Sequence, residues 1–442
     1  MANATPAHLN MILAKFWRQY THLMIFPHVK EDQPVFILSE KLKVISLYNN
    51  IIGGPGRRNG PNAQTTAFWL PIYSNCAIIG TNEWIPTDRI RRVNFRMPNA
   101  MRMFWNGEKL RSLSQGRRTE ESFEIFSVTA SLANLRAYYT ARGMAWGDGY
   151  TDFDCGFEIE FHDAVPLGEH LEYLSILKWF FSGCLGFLLD DTDRKISRQT
   201  QEEFIASVES HAEIHEHHEI RLGHPLDDPP SHISFHGSPA WGNSSDEISN
   251  LTKCLVAWMD RLDDWKNTYV HMAGCLRMHR EISSERLLSA CKWLERIPTA
   301  IPELVTDNLV VEAMAGAARV AGVENGLNVD LGRIRGILKP LIKESHDARF
   351  RRLVSLVWPN NHVSKSRDEF VAELKRSQGL RGEAAHNHIE VRSQEEFADL
   401  ARVIHAVEAL CFLLTMRDLP WSDKARGRLM GHPMTQNYIH SV

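Results

Sequence analysis

The chain of 442 residues lacks several patterns that assign proteins to common classes. Its seven cysteines include no CxxC pair, and their odd number and scattered positions predict reduced, buried thiols in a cytosolic protein. The first residues carry no basic segment followed by an apolar one, so we expect no secretion signal and a cytoplasmic location. No phosphate-binding GxxxxGK[ST] loop, no GxSxG nucleophile motif, no internal repeat and no low-complexity tract occur.

No apolar run of the chain has the composition of a membrane span. The most apolar segment, residues 171–189, contains Glu172 and Lys178 and ends at Asp190. Charges inside a spanning helix are costly, so this segment predicts a buried core helix and no membrane partner.

The net charge of −4 is not that of a typical nucleic-acid-binding protein, but the charge is distributed unevenly. From Leu331 to Val442 there are 18 Lys and Arg against 13 Asp and Glu. A second basic stretch, Arg89–Arg118, contains one acid, Glu108, and three interleaved aromatics, Phe95, Phe104 and Trp105. Such a stretch either follows an RNA backbone and stacks on its bases, or is a solvated basic strand and loop. The candidate RNA contacts are Arg89, Arg91, Arg92, Arg96 and Arg102.

The first part of the chain predicts a sheet. Short β-type runs separated by turn residues occupy the first 165 or so residues, and the clearest is Phe153–Phe161, in which aromatic or apolar residues alternate with polar ones. Alternation predicts one buried and one water-facing side. We therefore expect a β-rich, sandwich- or barrel-like domain over residues 1–222, closed by the helix that starts at Leu171.

The rest of the chain predicts helices. Residues 223–246 are rich in Pro and Gly and indicate a linker. Ser244 and Glu247 then form a helix-start signal, and Ser393 and Glu396 form another before an apolar stripe that recurs every three or four residues. Residues 247–442 therefore predict an all-α bundle, and the chain as a whole an α+β protein.

The stretch Arg381–His386 joins two complementary chemistries between two predicted helices. Arginine stays protonated and binds phosphate oxygens with a planar fork of donors, whereas histidine exchanges a proton near neutral pH. Five residues at about 100° each separate the two side chains by roughly 140° on a helix, which a long arginine can bridge. The other Arg–His pair at similar spacing, Arg426 and His432, lies among glycines and Pro433 and indicates a loop.

This stretch and the apolar helix after it resemble the catalytic element of HEPN-domain proteins. The whole chain resembles the ApeA-type HEPN proteins, which are antiphage defence factors of bacteria with a β-rich N-terminal domain and a helical HEPN domain. The N-terminal resemblance rests on Phe157–Phe161, on Pro166 and Leu167, and on the helix 171–189; the C-terminal one covers roughly residues 287–421. HEPN proteins usually carry Asn, Asp or His directly after the arginine, where this chain has Gly382.

The resemblance implies a metal-independent endoribonuclease that acts in abortive infection and has no cofactor. Its catalytic residues would be Arg381 and His386, and weaker candidates for orienting the substrate are Glu383, Asn387 and His388. It also implies a homodimer through the HEPN domain, an RNA substrate that includes tRNA among its candidates, and an N-terminal domain that senses a phage-derived trigger or restrains the nuclease.

Two alternatives stay open. Some HEPN proteins have lost catalysis and act as RNA-binding or dimerisation modules, and Gly382 is compatible with this role. Separately, His211 and His215 are spaced i, i+4 in a His-rich segment that extends to His218, so both imidazoles could reach one metal ion if the segment is helical. The alternative for that segment is an exposed polar helix without metal.

Overall fold

The structure of the chain is a computed structural model with an α+β fold, and the predicted fold class is confirmed at this level. The structure describes residues 35–38, 44–52, 56–59, 66–69, 72–80, 84–85, 87–114, 123–145, 149–210, 216–221, 244–304, 307–328, 330–360, 364–386, 389 and 393–441. The chain divides into a strand-rich unit, residues 1–178 with 189–229, and a helical unit, residues 179–188 with 230–442. Most of the predicted linker, residues 222–243, lies outside the described residues.

The strand-rich unit is built on an antiparallel sheet of nine strands in the order β1-β2-β5-β11-β10-β6-β9-β8-β7. A two-stranded hairpin, β3 and β4, stands apart from it. The strands are β1 Val35–Leu38, β2 Val44–Ile52, β3 Gly56–Asn59, β4 Thr66–Trp69, β5 Ile72–Gly80, β6 Arg89–Arg96, β7 Glu124–Thr129, β8 Ala133–Ala145, β9 Gly149–Pro166, β10 Thr192–Ser197 and β11 Glu216–Arg221. The helices described in this part are α1 Gly107–Ser114, α2 His170–Leu185, which continues into the helical unit, and α3 Gln201–Glu209.

Strand β9 contains the predicted alternating segment and pairs with both β6 and β8. Phe157 faces Ala137 on one side and Phe95 on the other, and it is buried. The prediction that the alternate side meets water is wrong, because Asp154 and Glu158 are buried as well. Burial raises the pKa of Glu158, and the nearby Arg92 guanidinium opposes this shift.

The sequence predicted that the helix starting at Leu171 closes the strand-rich domain, but the sheet continues after this helix, α2. Strands β10 and β11 follow that helix and lie in the middle of the sheet, between β6 and β5. The helix expected over His211–His218 is therefore wrong for residues 216–218, which belong to strand β11 and pair with β10. His217 is buried with its ring edge-on to Trp84, while His211 and His215 lie outside the described residues.

The helical unit forms as the caps and apolar stripes predict. The Ser244 and Ser393 hydroxyls each accept a hydrogen bond from the backbone N–H three residues later, so both predicted helix starts are confirmed. The helices are α4 Ser245–Asp260, α5 Leu262–Arg277, α6 Ser284–Arg296, α7 Asn308–Glu324, α8 Leu331–Leu338, α9 His346–Val357, α10 Arg367–His386, α11 Gln394–Arg417, α12 Asp423–Arg428 and α13 Pro433–Ile439. None of the helices in the described part of the chain is long and apolar enough to cross a membrane.

The predicted state of the cysteines is confirmed for the six whose side chains the structure describes. All six are free thiols in the interior. Burial raises the pKa of each, which keeps the sulfur protonated and unreactive at neutral pH. They act as small apolar side chains of the core.

A buried ion pair joins α6 to α11 in the centre of the helical unit. Arg286 donates from Nε and Nη2 to the two carboxylate oxygens of Glu408, at 2.8 Å each, and both side chains are at most 3% exposed. Its Nη1 donates to the carbonyls of His279 and Glu281, so the guanidinium is well satisfied. Burial alone would lower the pKa of Arg286, but Glu408 reverses this and raises it.

Replacing Glu408 by Ala is expected to lower the free energy of unfolding by about 3–5 kcal/mol, because Arg286 is left charged and unpaired in the interior. Lys424→Ala is the control, because it removes an ion pair with Glu247 whose lysine is 71% exposed. We expect it to cost less than about 1 kcal/mol. Chemical denaturation of both variants checks this, and equal losses would contradict the central role of the buried pair.

His432 is a buried helix cap rather than the predicted loop residue. Its Nδ1 accepts a hydrogen bond from the Met434 N–H at the start of α13, and its ring stacks on Phe412 with the centroids 4.0 Å apart. Burial lowers the pKa of His432 from 6.5 to about 3. The folded protein therefore holds this imidazole neutral where the unfolded chain would protonate it.

The stability that neutral His432 contributes is complete above pH 6.5 and is lost progressively as the pH falls toward 3. The variant His432→Asn keeps a capping side chain but does not titrate in this range. Unfolding free energies measured between pH 7 and pH 4 should fall more steeply for the natural chain than for the variant. Parallel curves would show that His432 is not held neutral.

Candidate active site

Helix α10 carries the Arg381–His386 stretch in its last turns. The helix begins with a reciprocal cap, in which the Ser366 N–H donates to the Glu369 carboxylate (2.6 Å) and the Glu369 N–H donates to the Ser366 hydroxyl (3.1 Å). Phe370, in the first half of the helix, is buried. The stretch was placed between two helices by sequence, and the structure shows that it is itself helical.

Arg381 and His386 therefore share one helix, which puts their Cα–Cβ directions roughly 140° apart. Glu383 and Gly382 are exposed, and the Arg381 side chain is 36% exposed. The His386 side chain, and all of Asn387 and His388, lie outside what the structure describes. The meeting of the guanidinium with this imidazole accordingly stays a prediction.

An ion pair orients Arg381. Its Nη1 lies 2.5 Å from Oε1 of Glu295, near the end of α6, and the Glu295 side chain is 41% exposed. An ion pair this open to water contributes at most about 1 kcal/mol, so a phosphate can displace the carboxylate at small cost. Arg381 is thus held at the surface, oriented, and still able to exchange its partner.

A described imidazole also lies near Glu295. His271, on the neighbouring helix α5, is partly buried, and burial together with Lys292 and Arg296 lowers its pKa while Glu295 opposes the shift. A lowered pKa leaves this imidazole mostly unprotonated at pH 7, which is the form that a general base requires. The sequence did not single out His271 or Glu295, because they stand 110 and 86 positions from Arg381 and only the packing of α5, α6 and α10 relates them.

The end of α10 is anchored on both sides of the candidate residues. Leu380 and Ile389 pack on an apolar cluster contributed by α6 and α11, whose members are Leu287, Cys291, Leu400, Val403 and Ile404. The backbone N–H of Ile389 also donates to the Ser284 hydroxyl at the start of α6, at 3.0 Å. The chain is therefore fixed immediately before Arg381 and again just after His386.

Most of the candidate RNA-contacting arginines interact with other residues of the strand-rich unit. Arg92 is 1% exposed, with Nη1 3.5 Å from Glu158 and its guanidinium 4.6 Å above the Phe204 ring. Arg89 donates from Nη1 to the Ala164 carbonyl and Arg91 from Nη1 to the His162 carbonyl, both in strand β9. Arg92 is a structural residue, whereas Arg89 keeps an exposed side chain.

The remaining members of that stretch divide between surface and core. Arg96 pairs with Asp193 at 3.4 Å and is 30% exposed, and Arg102 is exposed. Phe95 and Phe104 are at most 2% exposed, so the alternative in which they stack on bases is wrong. Their rings pack on Phe157 in the core of the sheet. Trp105, at 59% exposed, is the aromatic that reaches water.

Two further histidines line an open groove of about 430 Å³ between α11 and α13. Its walls include His405, His440, Phe397 and Gln436. Burial and the positive Arg286 lower the pKa of His405 to about 4, so this ring is neutral. Within the described part of the chain, no three His, Cys, Asp or Glu residues are grouped as metal ligands.

Comparison with known proteins adds no assignment. No protein-family model matches the chain, and no curated protein or solved structure is significantly similar to it.

Proposed function

We propose that the chain is a metal-independent endoribonuclease of the HEPN type, with its site at the end of α10. As part of this proposal, the sheet is sandwich- or barrel-like and the helical unit is a HEPN bundle. The observation that carries it is the state of Arg381, which is oriented at the surface by one exchangeable carboxylate and lies five residues before His386 in the same helix. In this proposal Arg381 is the phosphate-binding cation and His386 the proton-transfer group.

RNA supplies its own nucleophile, the 2′-OH. In the proposed reaction a base removes the 2′-OH proton, O2′ bonds to phosphorus, and the P–O5′ bond breaks as an acid protonates O5′. The products are a 2′,3′-cyclic phosphate and a 5′-OH. His386 performs one or both proton transfers, and Arg381 stabilises the charge that grows on the phosphoryl oxygens. Glu383, Asn387 and His388 are the weaker candidates for orienting the substrate.

Two copies of the site would act together. A homodimer through the helical unit would place two Arg381–His386 pairs near a twofold axis and complete one pocket from both subunits. In this proposal the protein resides in the cytoplasm and acts in abortive antiphage defence. The strand-rich unit senses a phage-derived trigger or restrains the nuclease, and tRNA is one candidate substrate.

Two features of the stretch favour a second function. Glu295 already pairs with Arg381, and Gly382 stands where HEPN proteins carry a polar residue. Both features suit a module that binds RNA or dimerises without cutting. The two functions differ in whether new RNA ends form.

The test is incubation of the purified full-length protein with total RNA in EDTA, followed by mapping of 2′,3′-cyclic phosphate ends. Arg381→Ala and His386→Ala should each reduce cleavage by about 100-fold or more, the usual contribution of such groups. Arg376→Ala is the matched control, since this arginine lies on the same helix but pairs with Asp399.

Three outcomes would count against this assignment. RNA binding without new ends would favour the inactive module. Loss of cleavage in His271→Ala but not in His386→Ala would move the proton-transfer role to α5. Cleavage that EDTA abolishes and both Arg381 and His386 variants retain would contradict the proposal.

Glu295→Gln is expected to tighten RNA binding up to about fivefold, because the phosphate then displaces an amide instead of a carboxylate and the exposed ion pair is worth at most about 1 kcal/mol. Glu285→Gln removes an equal charge from an exposed position of the same helix and is the control. Filter binding of non-cleavable 2′-O-methyl RNA measures the affinity. Equal effects of the two variants would mean that Arg381 does not contact RNA.

A further inference from the structure

Helices α11 and α13 form a groove whose walls carry polar side chains. Phe397, Ala401 and His405 recur every fourth residue and line it from α11, and Gln436 and the C-cap residue His440 line it from α13. Its volume of about 430 Å³ falls within the range of about 300–1,000 Å³ that is usual for small-molecule sites. The groove is therefore large enough to hold a small organic ligand.

The lining of the groove excludes several classes of ligand. None of its nine residues is Lys, Arg, Asp or Glu. An anion would need a cation such as arginine, and in the described part of the chain no three His, Cys, Asp or Glu residues are grouped to bind a metal ion. A lipid tail would need an apolar lining, but six of the nine residues are polar: Gln394, His405, Gln436, Asn437, His440 and Ser441. These exclusions favour a neutral, polar ligand.

His405 contributes a neutral ring to the groove. Burial and the positive Arg286 lower its pKa to about 4. Its Nδ1 is buried and has no hydrogen-bond partner among the described residues, so no acceptor on that side of the ring stabilises the charged form. A neutral imidazole has one N–H donor and one acceptor nitrogen. It therefore suits a ligand that carries donors and acceptors but no charge.

The Gln436 carboxamide is oriented by the protein. Its Nε2 donates to the Met430 carbonyl at 2.6 Å, and no described residue donates to its Oε1. Because the amide nitrogen carries two hydrogens, Oε1 and the second N–H remain for a ligand. An acceptor and a donor side by side match the N6–H and N7 atoms of adenine, whereas guanine is usually bound by Arg or Lys and cytosine by Asp or Glu. Adenine is thus the base that this uncharged groove fits best.

Phe397 supplies a flat apolar surface beside these polar groups. It lies near the start of α11, and its side chain is 46% exposed although it is large and apolar. Aromatic side chains of this kind stack on unpaired bases. The neighbouring Ala398 and Ala401 are small, so they leave room in the groove beside the ring. A planar ligand with a polar edge can therefore use the ring and the carboxamide together.

We propose that the groove between α11 and α13 binds an adenine base, stacked on Phe397 and bound at its edge by the Gln436 carboxamide. The base belongs either to an unpaired residue of RNA or to a free nucleoside or nucleotide, and only the RNA source rests on the proposed function. Gln394 in the groove follows His386 by eight residues, so at most about 29 Å separates their Cα atoms. One short RNA could therefore occupy both sites.

Equilibrium dialysis of the full-length protein with adenosine tests the proposal. We expect saturable binding with a dissociation constant below about 1 mM, as for other ligands of this size. Guanosine, cytidine and uridine should bind at least about fivefold more weakly, because they present the wrong edge to the carboxamide. Ribose alone should not bind measurably, because it has no base to stack.

Variants of the α11 wall locate the site. Phe397→Ala should weaken adenosine binding by about 5- to 150-fold, the usual contribution of a stacking ring, whereas Phe397→Trp should retain it. Ala401→Trp fills the groove and should abolish binding. Leu356→Ala is the matched control, because it removes another exposed apolar side chain, 41% exposed on α9, and should have no effect. Circular dichroism checks that each variant is folded.

A 2′-O-methyl oligouridylate with and without one adenine distinguishes the two sources of the base. If the base comes from RNA, the strand with adenine binds more tightly and Phe397→Ala removes the difference. Adenosine binding without that difference would assign the groove to a free nucleoside or nucleotide.

Three results would overturn the proposal: no adenosine binding, equal binding of all four nucleosides or of ribose, or binding that survives Ala401→Trp. Adenosine binding should be unchanged in Arg381→Ala. A protein that binds adenosine but does not cleave RNA would contradict the nuclease alone, and one that cleaves RNA but does not bind adenosine would contradict this inference alone.

Discussion

The buried pair between Arg286 and Glu408 is the constraint on which the helical unit depends. A charged arginine in the interior is tolerated because a bidentate carboxylate and two carbonyls satisfy it, and removal of the partner is far costlier than loss of an exposed pair. The pair fixes α6 against α11 at one relative position. The apolar cluster between the same two helices then fills the space that this position defines.

The candidate site follows from that arrangement. Because α6 is fixed, Ser284 at its start receives the Ile389 N–H and Glu295 near its end meets Arg381. One contact is made by the first residue of the Arg381–His386 stretch and the other by Ile389, three residues after its end. The position of the guanidinium is thus set by the core, while the weak exposed ion pair leaves it free to change partners. A guanidinium that the core positions and that is only weakly paired at the surface suits the phosphate-binding role that we propose for Arg381.

The sequence predicted the parts of the fold that local patterns encode. Hydroxyl caps and three-four spacing located α4 and α11, and the alternating run located β9. It missed β10 as well as β11, and β11 gave no signal because the His- and Glu-rich run around His217 has no apolar alternation and becomes a strand by pairing on both sides. Glu408 carries no local signal either, since its partner is 122 residues away.

The same distinction applies to the site. Arg381 could be found from a short motif, but Glu295 and His271 are related to it only by tertiary packing. The density of basic residues on β6 was a poor predictor of an RNA-binding surface. Arg92 is buried and pairs with Glu158, and the aromatic residues near it lie in the core.

The most direct measurement is a crystal structure of the full-length protein with a short 2′-O-methyl RNA that cannot react. We predict a backbone phosphate on the Arg381 guanidinium, with Glu295 displaced and the His386 imidazole within hydrogen-bond distance of O2′ or O5′. RNA bound elsewhere, with Arg381 still paired to Glu295, would contradict it.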